Sequence, residues 1–365
     1  VKRILDNLVP PSGGHRFAAL DGLRGIAALT VVFGHAPLIG HSKTILGLDA
    51  RGAVMCFYAL SAFLLYYPWA KTGPRDTWAY YRRRVWRIYP AYFLALAFGG
   101  VVAAILGRPV TLADLATHLG FVHTWFAAYS TTLVGPAWSL PAEMQFYALL
   151  PLFALCIRRW PLVPLILAAI ASALLQAFPP AAFSNPALRL GANWPYMAFP
   201  FFLGMIAAHL AAVGRRSPWL TVPAIALGGV LYFGQTPGDI ALRTALYSLA
   251  AFMAVYGVAS SESAPLSRLL ALRPVRCLGI CGYGLFLIHW PLFALVTALA
   301  PQLPAFLIGL PLTLALAALC YLYIESPAMR FSRRTSEQSA RNLEQVRSGV
   351  RVVQANTAVS DHTGR

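Results

Sequence analysis

The chain has 365 residues, 58% of them hydrophobic and only 11% charged, and its mean hydropathy is +0.63. This composition excludes an ordinary water-soluble domain, and continuous apolar runs without period-two alternation exclude a transmembrane β-barrel. The fold expected is all-α, a polytopic bundle of about ten transmembrane helices. Its 27 prolines and 28 glycines are tolerable there because neighbouring helices satisfy the backbone groups they free. A net charge of +17 then reads as membrane orientation and attraction to anionic lipid, and nucleic-acid binding is set aside.

In chain order, residues 1–16 form a short cytoplasmic segment. It is not read as a secretory signal peptide, because the apolar run that follows is too long and lacks a small-residue cleavage site. Ten segments then fit the roughly 17–25 residues that a membrane-crossing helix needs. They lie near 18–38, 51–69, 89–106, 138–156, 161–178, 194–213, 218–234, 240–259, 281–300 and 303–324. Together they make one transmembrane domain over 17–330, with no second soluble domain expected. Residues 331–365 are polar and poorly patterned, which predicts a disordered cytoplasmic tail.

Basic connectors decide the topology. With the N-terminus inside, 23 of the 29 Lys and Arg residues fall on cytoplasmic connectors or tails and five fall outside, in keeping with the positive-inside rule. Both termini are therefore expected in the cytoplasm. The five cysteines, Cys56, Cys156, Cys277, Cys281 and Cys320, lie in spans or near their ends. Neither a disulfide framework nor zinc-ligand spacing is supported, and no metal is expected.

A charged side chain near the bilayer centre costs at least about 2.5 kcal/mol, so polar residues kept inside apolar segments mark candidate sites. They are Arg24, His35, Glu143, His209 and His289. In "ALDGLRGIAALTVVFGHAPL" the eleven residues from Arg24 to His35 make three turns plus about 20°, so both project from one face, about 16 Å apart along the axis. Asp21 shares that face and offsets the charge of Arg24. An Arg–Asp pair reaching the interface, with a His closing the helix, accounts for the same residues without any chemistry.

In "WSLPAEMQFYALLP" the residues Ser139, Glu143 and Tyr147 recur at i, i+4 and i+8, while Trp138 and Pro141 suit entry from the outer interface. Glu143 then lies at a depth comparable to that of His35. A carboxylate and an imidazole so placed can serve as orienter and base, and a Glu bonded to a neighbouring Tyr or backbone is the alternative. In "RRRVWRIYPAY" Arg84 and Arg87 share a helix face. Their guanidinium forks match phosphate oxygens, or they only orient the helix.

Six stretches occur in the order and spacing of the acyltransferase-3 family of membrane O-acyltransferases, which the chain resembles over about residues 16–330. They are "FAALDGLRGIAALTVVFGH", "GAVMCFYALSAFLL", "RRRVWRIYPAY", "PAWSLPAEMQFYALLPL", "CGYGLFLIHWPL" and "YIESPAMR". The resemblance implies a ten-helix enzyme of a bacterial inner membrane. Such an enzyme moves a small acyl group, acetyl first, from a coenzyme A thioester to a hydroxyl of a carbohydrate, lipid-linked glycan or other exported acceptor, with no permanently bound cofactor.

The family's motif residues map onto Arg24, His35, Arg84, Arg87 and Glu143. With the geometry above, His35 is expected to be catalytic as general base or transient acyl carrier, with Glu143 orienting or charge-balancing it. Arg24, Arg84 and Arg87 are expected to hold the acyl-coenzyme A, with Asp21, Trp138, Ser139, Tyr147, His289 and Glu325 in support, a structural hydrogen bond being the alternative for His289. Ala62 stands where the family pattern usually has Gly, and Gly284-Leu285-Phe286 replaces a common Ser-Leu-Tyr. No fused extracytoplasmic hydrolase-like domain is present, so a stand-alone member is expected. The alternative is a secondary transporter or polysaccharide flippase using the intramembrane Arg, His and Glu as a proton relay, although the two halves show no internal repeat.

Overall fold

The computed structural model describes residues 17–39, 50–180, 193–233, 240–300 and 305–335, and among these the chain is helical with no strand. Each of the ten expected segments contains a helix among the described residues. Six are long and apolar enough to cross a membrane: Arg51–Thr72, Thr77–Ile105, Gly135–Cys156, Ile240–Ser260, Gly282–Leu299 and Phe306–Thr335. Leu162–Ala177, Tyr196–Ala212 and Pro218–Tyr232 are shorter. Ala18–Ile39 has the length, 22 residues, but its apolar run is broken by Asp21, Arg24 and His35. The protein is an integral membrane helical bundle, and among the described residues length and hydropathy mark six helices able to cross a membrane, fewer than the ten expected.

In chain order the principal helices are α1 (Ala18–Ile39), α2 (Arg51–Thr72), α3 (Thr77–Ile105), α4 (Leu112–Leu119), α5 (Leu140–Cys156), α6 (Leu162–Ala177), α7 (Phe199–Ala212), α8 (Thr221–Phe233), α9 (Ile240–Ser260), α10 (Pro265–Leu270), α11 (Arg273–Ile280), α12 (Gly282–Leu299) and α13 (Ala305–Cys320). The core forms around α2, which packs on α7, α9, α1 and α5 and buries Met55, Tyr58, Leu60, Ala62 and Phe63. Ala62 fits because α7 offers Gly204 there. A Cβ on Gly204 would stand 2.4 Å from the Ala59 carbonyl oxygen and 2.8 Å from the Ala62 Cβ.

Two expected connectors are helical instead. The Asp76 carboxylate accepts from the Ala79 N–H at 3.0 Å and caps α3, which starts at Thr77, well before the expected 89. Arg84 and Arg87 lie on a helix, as their spacing implies, in the early turns of its 29 residues. The stretch 260–280, expected as a basic connector, folds into α10 and α11 and packs on α1. Glycines allow it: a Cβ on Gly279 would lie 1.6 Å from the Asp21 carbonyl oxygen, and one on Gly22 would lie 2.1 Å from that of Leu270. Small residues are what let helix backbones touch inside a membrane protein. Arg276, from this same stretch, is 1% exposed, and its Nε lies 4.0 Å from Asp21 Oδ2.

The last helix differs too. After α13 the chain makes a π-helical turn, Tyr321–Glu325, and continues as helix to Thr335, past the expected boundary at 330. The expected N-terminal segment 1–16 and residues 336–365 of the tail lie outside the described residues.

Candidate active site

Helix α5 is seated by bonds to its backbone carbonyls from neighbouring side chains, one of them freed by a proline. A proline has no N–H to give the carbonyl four residues earlier, and in an apolar interior that carbonyl needs another donor. Pro151 frees the Tyr147 carbonyl, which accepts from the Tyr80 hydroxyl of α3 at 3.1 Å. The Ala137 carbonyl, in the 3₁₀ turn that leads into α5, accepts from the Leu140 N–H and from His123 Nε2 at 3.2 Å. The Tyr58 hydroxyl of α2 donates to the Ser139 carbonyl at 2.8 Å. These bonds hold the Ser139–Tyr147 face against α2 and α3.

Between α1, α2, α3, α5 and α12 lies a cavity of about 320 Å³, lined by Arg24, Ser61, Arg84, Arg87, Glu143 and Tyr147 among others. Ser139 lines it too, so the i, i+4, i+8 face does point to one space. Glu143 Oε1 accepts hydrogen bonds from both the Ser61 and Tyr147 hydroxyls, and Tyr147 also reaches Ser61 Oγ at 3.3 Å. Trp138 is half-buried against the core and lines neither this cavity nor the second one described below, and the same holds for His209.

The paired arginines are not equivalent. Arg84 stands 6.0 Å over the Tyr147 ring, and its Nε is buried with no hydrogen-bond partner. Such an orphaned charged donor is costly unless an acceptor arrives. Arg87, by contrast, forms an ion pair with Glu325, which is 0% exposed, touches Met329 Sδ at 3.6 Å and lies 5.9 Å over the Tyr283 ring. The π-turn is what places Glu325 there, beside Gly284 of α12. Arg24 is bonded to Asp21 at 3.3 Å.

His35 is not in the cavity wall. Helices α1 and α12 run parallel, with Gly282 beside Arg24 and Ala28 at one level and His289 beside His35 further along. His35 Nδ1 lies 3.1 Å from His289 Nε2, the two rings stack at 5.3 Å, and Trp290 meets His35 edge-on at 5.3 Å. His289 Nδ1 lies 3.1 Å from the Leu285 carbonyl, which can only accept. The network thus assigns the proton to His289 Nδ1, leaves His289 Nε2 to accept from His35 Nδ1–H, and leaves His35 Nε2 with a lone pair.

Glu143, expected as the partner of His35, is bonded to Ser61 and Tyr147 instead; the imidazole partner is His289. Phe286 lines the cavity and its ring stands 6.3 Å from that of His289, so one aromatic layer separates cavity and imidazole pair. Sequence reasoning gave Ser61 no role. Its signal was a lone hydroxyl in the apolar "ALSAFLL".

A family model described as an acyltransferase domain, acyltransferase-3, matches residues 17–322. Among curated proteins, the acyltransferase MdmB of Streptomyces mycarofaciens is 25% identical over 306 residues, which cover 75% of this chain and 78% of that protein. The peptidoglycan O-acetyltransferase OatA of Listeria monocytogenes is 25% identical over 353 residues, 85% of this chain and 55% of the relative. The O-acetyltransferase OatA of Staphylococcus aureus is 22% identical over 350 residues, with 84% and 56% covered. The chain thus spans a little over half the length of these two O-acetyltransferases. No solved structure matches it significantly.

Proposed function

Because the chain belongs to the acyltransferase-3 family, we propose that it is a membrane O-acyltransferase moving a small acyl group, acetyl first, from a coenzyme A thioester to a hydroxyl of a carbohydrate or other exported acceptor. The observation that carries this reading is the cavity in which Arg84 offers an unmatched buried guanidinium N–H beside Arg24, Ser61, Glu143 and Tyr147.

The donor is bulky, phosphorylated and cytoplasmic. On the topology favoured by the Lys and Arg distribution, Arg24 and Arg84 face the inner side and bind its phosphates. Arg87 keeps α3 in place through Glu325. The Ser61–Glu143–Tyr147 group gives the pantetheine arm and thioester polar partners in an otherwise apolar wall. His35 Nε2 removes the acceptor's hydroxyl proton as that oxygen attacks the thioester carbonyl. The C–S bond breaks, coenzyme A leaves as its thiolate, and the imidazolium returns the proton to that sulfur. His289 fixes the tautomer of His35.

Two relatives carry O-acetyltransferase names, one of them a peptidoglycan O-acetyltransferase, which makes glycan hydroxyls the first acceptors to try. The decisive experiment supplies the full chain in lipid nanodiscs with radiolabelled acetyl-coenzyme A and a panel of glycans. Label in a glycan ester is the expected result. An intact thioester throughout, with acetyl and succinyl donors alike, overturns the reading, and counterflow of an unmodified sugar would point to a transporter.

A further inference from the structure

A second cavity, of about 180 Å³, lies further along α12. The first touches Gly282, Tyr283 and Phe286, whereas this one touches Trp290, Pro291 and Ala294, and His289 falls between the two sets. Its other walls are α3, α4 and residues 131–133. Gly99 brings them together, since a Cβ there would lie 2.6 Å from the Leu133 carbonyl oxygen. Trp290 lines this cavity and also meets His35, so the cavity and the imidazole pair are separated by one ring.

The buried charged group in the wall is Asp114, which is 5% exposed. Its Oδ2 is fully used: it accepts from the Thr111 N–H at 3.1 Å and from the Thr111 hydroxyl at 2.9 Å, the capping box of α4. Its Oδ1 is buried and has no hydrogen-bond partner. The neighbouring Thr132 hydroxyl donates to the Tyr129 carbonyl at 3.0 Å. Burial pushes the Asp114 carboxyl up, but the Thr111 backbone and hydroxyl, with the Thr132 hydroxyl and His118 close by, pull it down further, so it lies below its ordinary value. A buried carboxylate oxygen without a donor is unfavourable in the folded protein, so a ligand that donates to it would remove a cost already present.

We propose that this cavity is the acceptor subsite and holds one hydroxyl-bearing sugar ring, with the ring's apolar face on Trp290 and a hydroxyl donating to Asp114 Oδ1. Thr131 and Arg108, both exposed, form its rim. The volume is below the ~300–1,000 Å³ of pockets that enclose drug-sized ligands, so a single ring enters and the remainder of a glycan stays outside. Trp, apolar across its face, suits the C–H face of such a ring, and a carboxylate suits its hydroxyls. The assignment as acceptor subsite rests on the acyl-transfer reading above and adds the place and chemistry of the acceptor.

Saturation-transfer NMR on the full chain in sugar-free lipid nanodiscs tests it, with glucose, galactose and N-acetylglucosamine as probes. Asp114→Asn keeps the α4 cap through its carbonyl oxygen but turns a donor into the cavity. It should weaken sugar binding about tenfold, the usual size of a mispaired buried polar group. Trp290→Phe, which does not touch the cap, should also weaken it. Failure of every probe to bind the wild type, or equal binding by wild type and both variants, overturns the proposal. Coenzyme A binding on the same samples separates the two readings. Sugar binding that depends on Asp114 without coenzyme A binding keeps the sugar site and sinks the donor reading, whereas coenzyme A binding without any sugar binding does the reverse.

Discussion

His35 Nδ1 and His289 Nε2 lie 3.1 Å apart although 254 residues separate them along the chain. If His35 is the base and His289 sets its tautomer, His35→Ala should lower acyl transfer by ~10²–10⁴-fold with coenzyme A binding retained. His289→Ala should lose less, and the double variant should be little worse than His35→Ala, since residues acting as a unit are not additive. Glu143→Gln belongs to a different network, so its loss should multiply with that of His289→Ala. Full turnover in His35→Ala would refute the mechanism.

The two arginines of α3 should fail in different ways. Arg84→Ala should weaken coenzyme A binding by the ~1.5–3 kcal/mol of a charge-assisted hydrogen bond and leave thermal stability almost unchanged. Arg87→Ala leaves the Glu325 carboxylate buried and unpaired, which should cost ~3–5 kcal/mol of stability. Pairing it with Glu325→Gln should restore much of that stability. Unfolding curves and donor titration on the same samples read both effects, and matching behaviour of Arg84→Ala and Arg87→Ala would contradict the division.

Gly279→Ala tests the contact between α1 and α11. The added Cβ meets the Asp21 carbonyl oxygen at 1.6 Å, a clash with backbone that no side-chain rotation relieves. Destabilisation at or above the ~1–3 kcal/mol of ordinary overpacking is expected, together with weaker donor binding because Asp21 and Arg24 shift. A variant with wild-type stability would mean that α11 does not lie against α1.

Acid should loosen the segment 107–137. His118 and His123 stack there at 4.0 Å with both rings buried. Burial lowers both, and with the neighbouring His118 it brings His123 from 6.5 to about 3. The folded segment thus favours neutral rings. Their stabilisation is complete above the ordinary value of 6.5 and is lost as pH falls toward the folded value of His123, about 3. Limited proteolysis within 107–137 should quicken as the pH is lowered from neutral to mildly acidic. The same rate at both would exclude the pair as its cause.

Topology reporters address the side from which the donor enters. One fused after Arg87 should read cytoplasmic and one near Tyr129 should read extracytoplasmic. The opposite pattern would put Arg84 on the wrong side for a cytoplasmic thioester.

Composition and hydropathy were enough for the helical class and for the apolar segments that become helices, because apolar runs of that length have few other stable states in a membrane. Part of the first cavity was legible as well, though not Ser61: polar side chains are expensive in apolar helices, and helical period places Ser139, Glu143 and Tyr147 on one face. That α3 begins near Asp76, and that 260–280 packs on α1, was less visible. In both places basic residues imitate a loop while a cap in one and glycines in the other permit a helix.

What pairs with what was decided only by the tertiary structure. Arg84 and Arg87 are the same residue type three positions apart, and nothing local tells which will be neutralised; Glu325 arrives 238 residues later, turned toward Arg87 by a π-helical turn. In the same way His35 takes His289 rather than Glu143, and Asp114 gives one oxygen to Thr111 while the other has no hydrogen-bond partner. Helical period is a property of neighbouring residues, so the sequence carries it directly. The choice of partner depends on the register in which distant helices pack, which here rests on Gly22, Gly279 and Gly204 letting backbones meet, and only the folded bundle sets that register.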